Sequence, residues 1–141
     1  MALEYGVAPP VPAARLATLV APSTFVARTA RIGAGCVVYP HGFIGAQASL
    51  GDRVFVLAGT VVNHDDHIED GVTLCSGVVL AGHVHVEAGA YLGQGCTVRQ
   101  NVRIGRGSLV GMGSVVLVDV PPDSVVVGSP ARWLRARTSQ G

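Results

Sequence analysis

The chain has 141 residues, of which 49% are hydrophobic and 13% charged, and its formal net charge is +1 at pH 7. This length allows one domain of ordinary size, the apolar content excludes a disordered chain, and the balanced charge gives no sign of a nucleic-acid partner. Glycine accounts for 19 residues while aromatic residues make up only 5%, which indicates strands and turns rather than a helical bundle.

Residues 1–19 are predicted to form a leader that either lies over the first coil or is partly disordered. This segment is rich in proline and alanine, and Glu4 and the prolines stand where the apolar core of an export signal would be. Later apolar runs are all interrupted well before the roughly 18 residues that a membrane-spanning helix needs. The three cysteines, an odd number, fit a reducing compartment. We therefore expect a soluble, cytoplasmic protein with no membrane partner.

From residue 20 onward, an aliphatic side chain recurs at every sixth position without a break. The positions are Val20, Val26, Ile32, Val38, Ile44, Leu50, Val56, Val62, Ile68, Leu74, Leu80, Val86, Leu92, Val98, Ile104, Val110 and Val116. Four residues after each one, the side chain is nearly always small or β-branched, with Asp66 as the exception, and glycines collect between. This is the hexapeptide unit of a parallel β-helix, in which three successive units close each triangular coil. Residues 20–118 are predicted to form this single-stranded, all-β structure.

The six-residue period ends after Val118, and residues 119–141 are predicted to form a short C-terminal capping strand and tail. Pro121 and Pro122 break the strand ladder. Residues 124–127 are predicted to return as a strand over the open last coil. The basic stretch around Trp133 and Leu134 favours a short helix.

The 18-residue coil places residues 18 apart directly above each other on one edge of the prism. The third positions of the units form three columns: Pro22, Pro40, Ala58, Ser76, Gln94 and Met112; Arg28, Ala46, His64, Gly82, Gln100 and Val118; and Ala34, Asp52, Asp70, Ala88 and Arg106. The third column is charged and suits solvent. The first two columns become uncharged in their later coils, which suits surfaces that face a partner subunit or a long ligand.

His64 is the strongest catalytic candidate because it lies in the most polar run inside the repeat. Asp65 is adjacent and can fix the tautomer of the imidazole and raise its basicity. Gly82 lies one coil above, where a bare backbone N–H can approach a ligand. A histidine on a turn can also be merely solvated, and the sequence leaves that reading open. Asp66 falls at an inward position, so we expect a polar partner for it or a local bulge.

Four segments carry a resemblance to a known family: NHDDHIEDG at 63–71, LAGHVHV at 80–86, LVGMGSVV at 109–116 and VVVGSPARW at 125–133. Together with the hexapeptide tiling, they resemble the left-handed β-helix acyltransferases, in particular the branch of sialic acid O-acetyltransferases and amino-sugar N-acetyltransferases. The resemblance covers roughly residues 17–135. It implies a left-handed β-helix, acetyl-CoA as acyl donor, no metal, a homotrimer with its site between subunits, and a sugar or similar small hydroxyl or amine as acceptor.

The resemblance also implies roles for individual residues. His64 matches the general base of the family and Asp65 the acid that supports it, with direct transfer and no acyl-enzyme. Gly82 matches the glycine whose amide contacts the thioester carbonyl. Gln94 and Met112 match positions that line the CoA arm, and Thr73 stands where the family often has a second histidine near CoA. The branch usually has an N-terminal nucleotide-sugar domain, whereas only the short segment 1–16 precedes the coils here, so we expect a nucleotide alone to bind weakly.

Two other classes of function remain as alternatives. A metalloenzyme like the γ-type carbonic anhydrases would use some of the chain's five histidines, His41, His64, His67, His83 and His85. That resemblance would require histidines about two coils apart on one edge, and two coils above His64 is Gln100. A non-catalytic β-helix scaffold would have no need of a histidine beside an acid.

Overall fold

The computed structural model describes residues 11–138 as strands and tight turns, with one 3-10 turn at Ala13–Arg15 as the only helical element in that range. Each of the seventeen aliphatic positions of the repeat is the second residue of a two-residue strand. The parallel β-helix predicted from the period is therefore confirmed. Within this part of the chain, no helix is long and apolar enough to cross a membrane.

The seventeen short strands form three parallel sheets, which are the faces of a triangular prism. Sheet A contains β1 (Leu19–Val20), β4 (Val37–Val38), β7 (Phe55–Val56), β10 (Thr73–Leu74), β13 (Tyr91–Leu92) and β16 (Leu109–Val110). Sheet B contains β2 (Phe25–Val26), β5 (Phe43–Ile44), β8 (Val61–Val62), β11 (Val79–Leu80), β14 (Thr97–Val98) and β17 (Val115–Val116). Sheet C contains β3 (Arg31–Ile32), β6 (Ser49–Leu50), β9 (His67–Ile68), β12 (His85–Val86) and β15 (Arg103–Ile104).

Each coil runs from sheet A to sheet B to sheet C, and the turns between them form three corners. We call these the A–B, B–C and C–A corners. Strand pairs within a sheet are offset by three hexapeptide units, as in Thr73 opposite Tyr91 and Val79 opposite Thr97. The geometric columns deduced from the coil length therefore hold: His64 and Gly82 lie on the B–C corner, and Gln94 and Met112 on the A–B corner.

The core is the column of inward aliphatic side chains. From Val38 to Val116 every one of them is buried, whereas Val20 is 38% exposed because no coil precedes it. Inward polar side chains are satisfied by backbone: Thr60, for example, donates to the carbonyl of Cys75 at 2.9 Å. Among residues 11–138, no buried side-chain nitrogen or oxygen lacks a hydrogen-bond partner. Burial of aliphatic side chains thus stabilises the coils without disulfides, and the three cysteines are free and buried.

The C-terminal segment extends sheet A. Strand β18 (Ser124–Gly128) pairs parallel with β16, and β19 (Ala131–Ala136) pairs antiparallel with β18. The helix expected around Trp133 and Leu134 is wrong. The free edge of β18 offers a row of backbone donors and acceptors, and a strand satisfies them where a helix could not.

Only part of the predicted leader lies within the described range, since residues 1–10 fall outside it. Leu16 packs its side chain against the edge of the first coil, where a Cβ on Gly35 would lie 2.9 Å from its Cδ1. Thr18 donates a hydrogen bond to the carbonyl of Gly33 at 2.7 Å. Residues 11–18 are thus held against the coils by both apolar and polar contacts.

Candidate active site

The B–C corner carries the polar turn that follows β8. Nδ1 of His64 lies 3.0 Å from Oδ2 of Asp65, and their side chains are 57% and 40% exposed. The N–H on Nδ1 therefore donates to the carboxylate, which leaves Nε2 as the nitrogen that can accept a proton. The pair that the sequence predicts from adjacency is in hydrogen-bond contact in the structure.

Asp66 lies directly beneath this pair and is fully buried. One carboxylate oxygen accepts the backbone N–H of Asn63 at 2.7 Å, and the other accepts the N–H of Val84 at 2.9 Å. The partner expected for this inward acid is therefore the backbone of its own turn and of the next coil. Burial raises the pKa of Asp66 to about 6, although these two hydrogen bonds oppose the rise. Asp66 ties the histidine turn to the coil above it.

Gly82 packs against the ring of His64. A Cβ added to Gly82 would lie 2.9 Å from Nε2 and 3.1 Å from Cε1 of His64, and the φ of Gly82 is +124°. The backbone ladder uses the N–H of Ala81, which donates to Val98, and that of His83, which donates to His64. Within the described chain, no ladder bond uses the intervening N–H of Gly82. Gly82 thus lies next to the imidazole, as the sequence predicts from the coil length.

His83 is a member of this cluster that the sequence analysis named only as a possible metal ligand. Its Nε2 lies 3.6 Å from Oδ2 of Asp65, and its ring meets the ring of His64 edge-on with centroids 5.2 Å apart. His83 comes one full coil after Asp65, so the coil length contained the signal that these two residues stack. Asp65 therefore faces two imidazoles, and ligand atoms of His64, Asp65 and His83 all lie within 4.8 Å of one another.

The turns of the B–C corner keep side chains where the other corners favour glycine. From Gly35 to Gly113 the fourth position of each unit has a left-handed backbone, and at the A–B corner it is glycine in four successive coils: Gly59, Gly77, Gly95 and Gly113. At the B–C corner the same position is Gln47, Asp65, His83 and Asn101, with φ between 50° and 63°. Such a φ is costly for a residue with a Cβ. Two of these four side chains, Asp65 and His83, form the cluster with His64.

Three residues predicted to bind CoA, of which Gln94 and Met112 match positions that line its arm, lie away from His64 within one chain. Gln94 and Met112 are exposed on the A–B corner, at the opposite edge of sheet B, and Met112 is 76% exposed. Thr73 is half-buried on the outer face of sheet A, beside Phe55 and Tyr91. A single chain therefore does not bring these residues to the histidine.

The outer faces of the prism differ in polarity. Sheets A and B expose large apolar side chains in the first coils, such as Leu19, Phe25 and Phe55 at 45–62% exposure, and Phe25 stacks on Phe43 with centroids 5.1 Å apart. The outer face of sheet C instead carries Arg31, Ser49, His67, His85 and Arg103. The faces that flank the A–B corner are therefore the apolar ones.

Comparisons with known proteins find that this chain is similar in structure to several acetyltransferases. No protein-family model matches the chain, and no curated protein matches it. The acetyltransferase domain of PglB from Neisseria gonorrhoeae has a TM-score of 0.84 and 32% identity, covering 84% of this chain and 58% of that one. A variant of perosamine N-acetyltransferase from Caulobacter crescentus, solved with CoA and GDP-perosamine, has a TM-score of 0.84 and 34% identity, covering 84% and 57%.

A third neighbour, WeeI from Acinetobacter baumannii, has a TM-score of 0.79 and 32% identity, covering 82% of this chain and 57% of its own. The PglB domain has also been solved with acetyl coenzyme A. This chain therefore spans less than three-fifths of the length of these structures. The resemblance to hexapeptide acyltransferases that the motifs predicted is confirmed.

Proposed function

We propose that this chain is an acyltransferase that moves the acetyl group of acetyl-CoA to a hydroxyl or amine of a sugar, with His64 as the general base. The observation that carries the proposal is the contact of His64 with both Asp65 and Gly82 on one corner. Similarity to acetyltransferase structures that hold CoA supports it.

The chemical step follows from that geometry. Nε2 of His64 takes the proton of the acceptor hydroxyl or amine as the acceptor atom forms its bond to the thioester carbonyl carbon. Asp65 holds the N–H on Nδ1 and stabilises the imidazolium that results. The carbon–sulfur bond then breaks, CoA leaves as the thiolate, and the imidazolium returns its proton to the solvent or the thiolate. Direct transfer is supported by the burial of Cys75 on the A–B corner, away from His64.

The backbone N–H of Gly82 is proposed to stabilise the oxyanion of this step. As the acceptor attacks, negative charge develops on the carbonyl oxygen, and a fixed donor there lowers the barrier more than it stabilises the ground state. The close approach of Gly82 to the His64 ring supports this role. The same bare Cα leaves room for the imidazole.

The remaining walls of the site are proposed to come from a neighbouring subunit of a homotrimer. In a cyclic trimer the contacts are heterologous, so the B–C corner of one subunit can lie beside the A–B corner of the next. Gln94 and Met112, with Thr73 on the adjoining face, would then contact the CoA arm. Light scattering should give the mass of a trimer, and a monomer that turned over acetyl-CoA would contradict the intersubunit site.

The acceptor is proposed to be an amino sugar or a sugar hydroxyl. One neighbour is named as a perosamine N-acetyltransferase and was solved with GDP-perosamine. Thiol release from acetyl-CoA, measured with free amino sugars, neutral sugars and their nucleotide-linked forms, tests the proposal. We expect turnover with at least one sugar and loss of that turnover in His64→Ala. Absence of thiol release across the panel, with CoA bound, would favour a non-catalytic scaffold.

A metal-dependent hydration reaction is the second candidate, because His64, Asp65 and His83 can offer ligand atoms within 4.8 Å of one another. That candidate predicts carbon dioxide hydration that requires added zinc and is lost equally in His64→Ala and His83→Ala. Acyl transfer predicts instead that His83→Ala retains most of the thiol-release activity. The two variants therefore separate the two functions.

A further inference from the structure

A second cluster of histidines lies on the outer face of sheet C, outside the site described above. Ser49, His67 and His85 are the first residues of β6, β9 and β12, and they stand directly above one another in register. The rings of His67 and His85 have centroids 4.8 Å apart at an interplanar angle of 62°. His67 and His85 are separated in sequence by one full coil, so their stacking follows from the repeat.

Glu69 adds a carboxylate to the two imidazoles. Its Oε2 is in hydrogen-bond contact with Nε2 of His85, and the two side chains are 32% and 30% exposed. One ligand atom from each of His67, Glu69 and His85 lies within 4.8 Å of the others. A shallow cleft of about 220 Å³ borders the cluster and is lined also by Asp70 and Ala88. His67 and Glu69 line this cleft, which a small ion and its water can enter, and His85 adjoins it through its contact with Glu69.

We propose that His67, Glu69 and His85 form a binding site for a zinc-class divalent cation. Two imidazole nitrogens and one carboxylate oxygen are a ligand set that suits Zn²⁺, with a water molecule as fourth ligand. Mg²⁺ and Ca²⁺ favour all-oxygen sites, so this set discriminates against them. The carboxylate would turn from its hydrogen bond with His85 to the ion, because both groups would then ligate it.

The surroundings of the cluster favour a cation in two ways. Oγ of Ser49 lies 2.6 Å from Nδ1 of His67, which fixes the orientation of the ring as second partners of ligating histidines commonly do. Arg103, the next residue above His85 on sheet C, pairs through Nε with Glu87 at 3.2 Å. The positive charge of Arg103, the nearest guanidinium in this column, is therefore neutralised by the carboxylate of Glu87.

An ion at this site would join two successive coils. Strand β9 follows the turn that contains His64, and β12 follows the turn that contains Gly82. A metal ion bound by both His67 and His85 would therefore link the two coils that carry His64 and Gly82 on the B–C corner. This inference does not depend on the proposed acyl transfer, because its readout is metal binding.

Titration calorimetry on the tag-free full chain tests the site, with Zn²⁺ as the probe and Mg²⁺ as the comparison ion. We expect one Zn²⁺ bound by His67, Glu69 and His85, and little heat with Mg²⁺. Zn²⁺ binding at this site should be lost in His67→Ala and His85→Ala. Ser49→Ala should weaken binding by about 10-fold or more, as loss of a supporting partner does. The absorption spectrum of added Co²⁺ should show a four-coordinate ion that disappears in His85→Ala.

Matched controls distinguish Zn²⁺ binding at this cluster from Zn²⁺ binding at the histidines of the B–C corner. His83→Ala removes an exposed histidine from the neighbouring corner and should leave the Zn²⁺ affinity of the sheet C cluster unchanged. Circular dichroism of each variant reports whether the coils are intact, and Glu69→Gln removes the charge while keeping the size of the side chain. No binding by the wild-type chain, or binding that survives in both His67→Ala and His85→Ala but is lost in His83→Ala, would overturn the proposal.

Discussion

The A–B and B–C corners are built on the same backbone but present different chemistry. At both corners the fourth residue of a turn donates its N–H to the coil below: Gly95 to Ser76 at 3.0 Å, and His83 to His64 at 3.1 Å. At the A–B corner that residue is glycine in the later coils, and the turn is unstrained. At the B–C corner it carries a side chain in the left-handed conformation.

The difference indicates that the B–C corner is less stable than a corner of glycines, in return for functional side chains. A left-handed residue with a Cβ costs about 1 kcal/mol or more relative to glycine, less for Asp and Asn. Strain of this kind concentrates at functional sites. Asp65 and His83 occupy two of these left-handed positions on the B–C corner. Asp65 contacts His64, and His83 contacts Asp65. We therefore interpret the left-handed side chains of this corner as functional.

Removal of the base is expected to have the largest effect. In His64→Ala, the rate of acetyl transfer at saturating acetyl-CoA should fall by about 100-fold or more, because the acceptor loses its proton acceptor. His41→Ala, an exposed histidine on the A–B corner, is the matched control and should keep the wild-type rate. Equal turnover by the wild-type chain and His64→Ala would remove the functional distinction between the two corners.

Filling the space beside the imidazole should have the next largest effect. In Gly82→Ala the new methyl group would meet Nε2 of His64 at 2.9 Å, so the ring must turn away from the donor. We expect a fall in rate of about 10- to 100-fold. Gly89→Ala also places alanine at a positive φ but meets nothing within 4 Å, so it should lower thermal stability without lowering the rate of the folded enzyme. Similar rates in both variants would contradict the proposed contact.

Neutralising the acid should have a smaller effect on the rate. Asp65→Asn keeps a residue that tolerates the left-handed turn but loses the charge that stabilises the imidazolium, so we expect a fall in the rate of about 10-fold. Asp119→Asn is the matched control, since it alters the same position of the same corner three coils above. Stopped-flow measurement of thiol release compares the two, and a similar loss in both would argue against a specific role of Asp65.

The buried acid predicts a pH-dependent difference in stability rather than in rate. The pKa of Asp66 is about 6 in the folded chain against an ordinary value of 3.8, so folding takes up a proton between these values. Its contribution to stability is therefore present below about pH 4 and is lost as the pH rises through 6. Relative to Asp66→Asn, the free energy of unfolding should fall by about 2 kcal/mol from pH 4 to pH 7. A difference that is flat across this range, measured by urea unfolding, would contradict the raised pKa.

The fold could be predicted from the sequence because one rule repeats along the chain. Each inward aliphatic residue, from Val20 to Val116, is local evidence for the same unit, and the stacking of successive coils turns that period into geometry. The C-terminal cap follows no period. Trp133 and Leu134 lie in a strand because β18 offers a free edge, and a long-range partner of that kind leaves little trace in local composition.

The candidate site could be predicted only in part. His64 and Asp65 are neighbours in sequence, so their hydrogen bond required no tertiary contact, and Gly82 followed from the coil length. The coil length also predicts that His83 stacks on Asp65, but the edge-on contact of its ring with the ring of His64 depends on side-chain directions that spacing does not give. The partner of Asp66 was expected but not identified, because the two N–H groups that satisfy it belong to the backbone.

The central claim is that this β-helix binds an acyl-CoA donor and transfers its acyl group at the B–C corner, beside His64. Isothermal titration of CoA into the wild-type chain and into His64→Ala, with UDP and GDP as comparison ligands, tests it most directly. We predict saturable CoA binding in both proteins, with dissociation constants within about twofold, because His64 acts on the acceptor and not on CoA. Absence of CoA binding by the wild-type chain, with tight binding of a nucleotide instead, would contradict it.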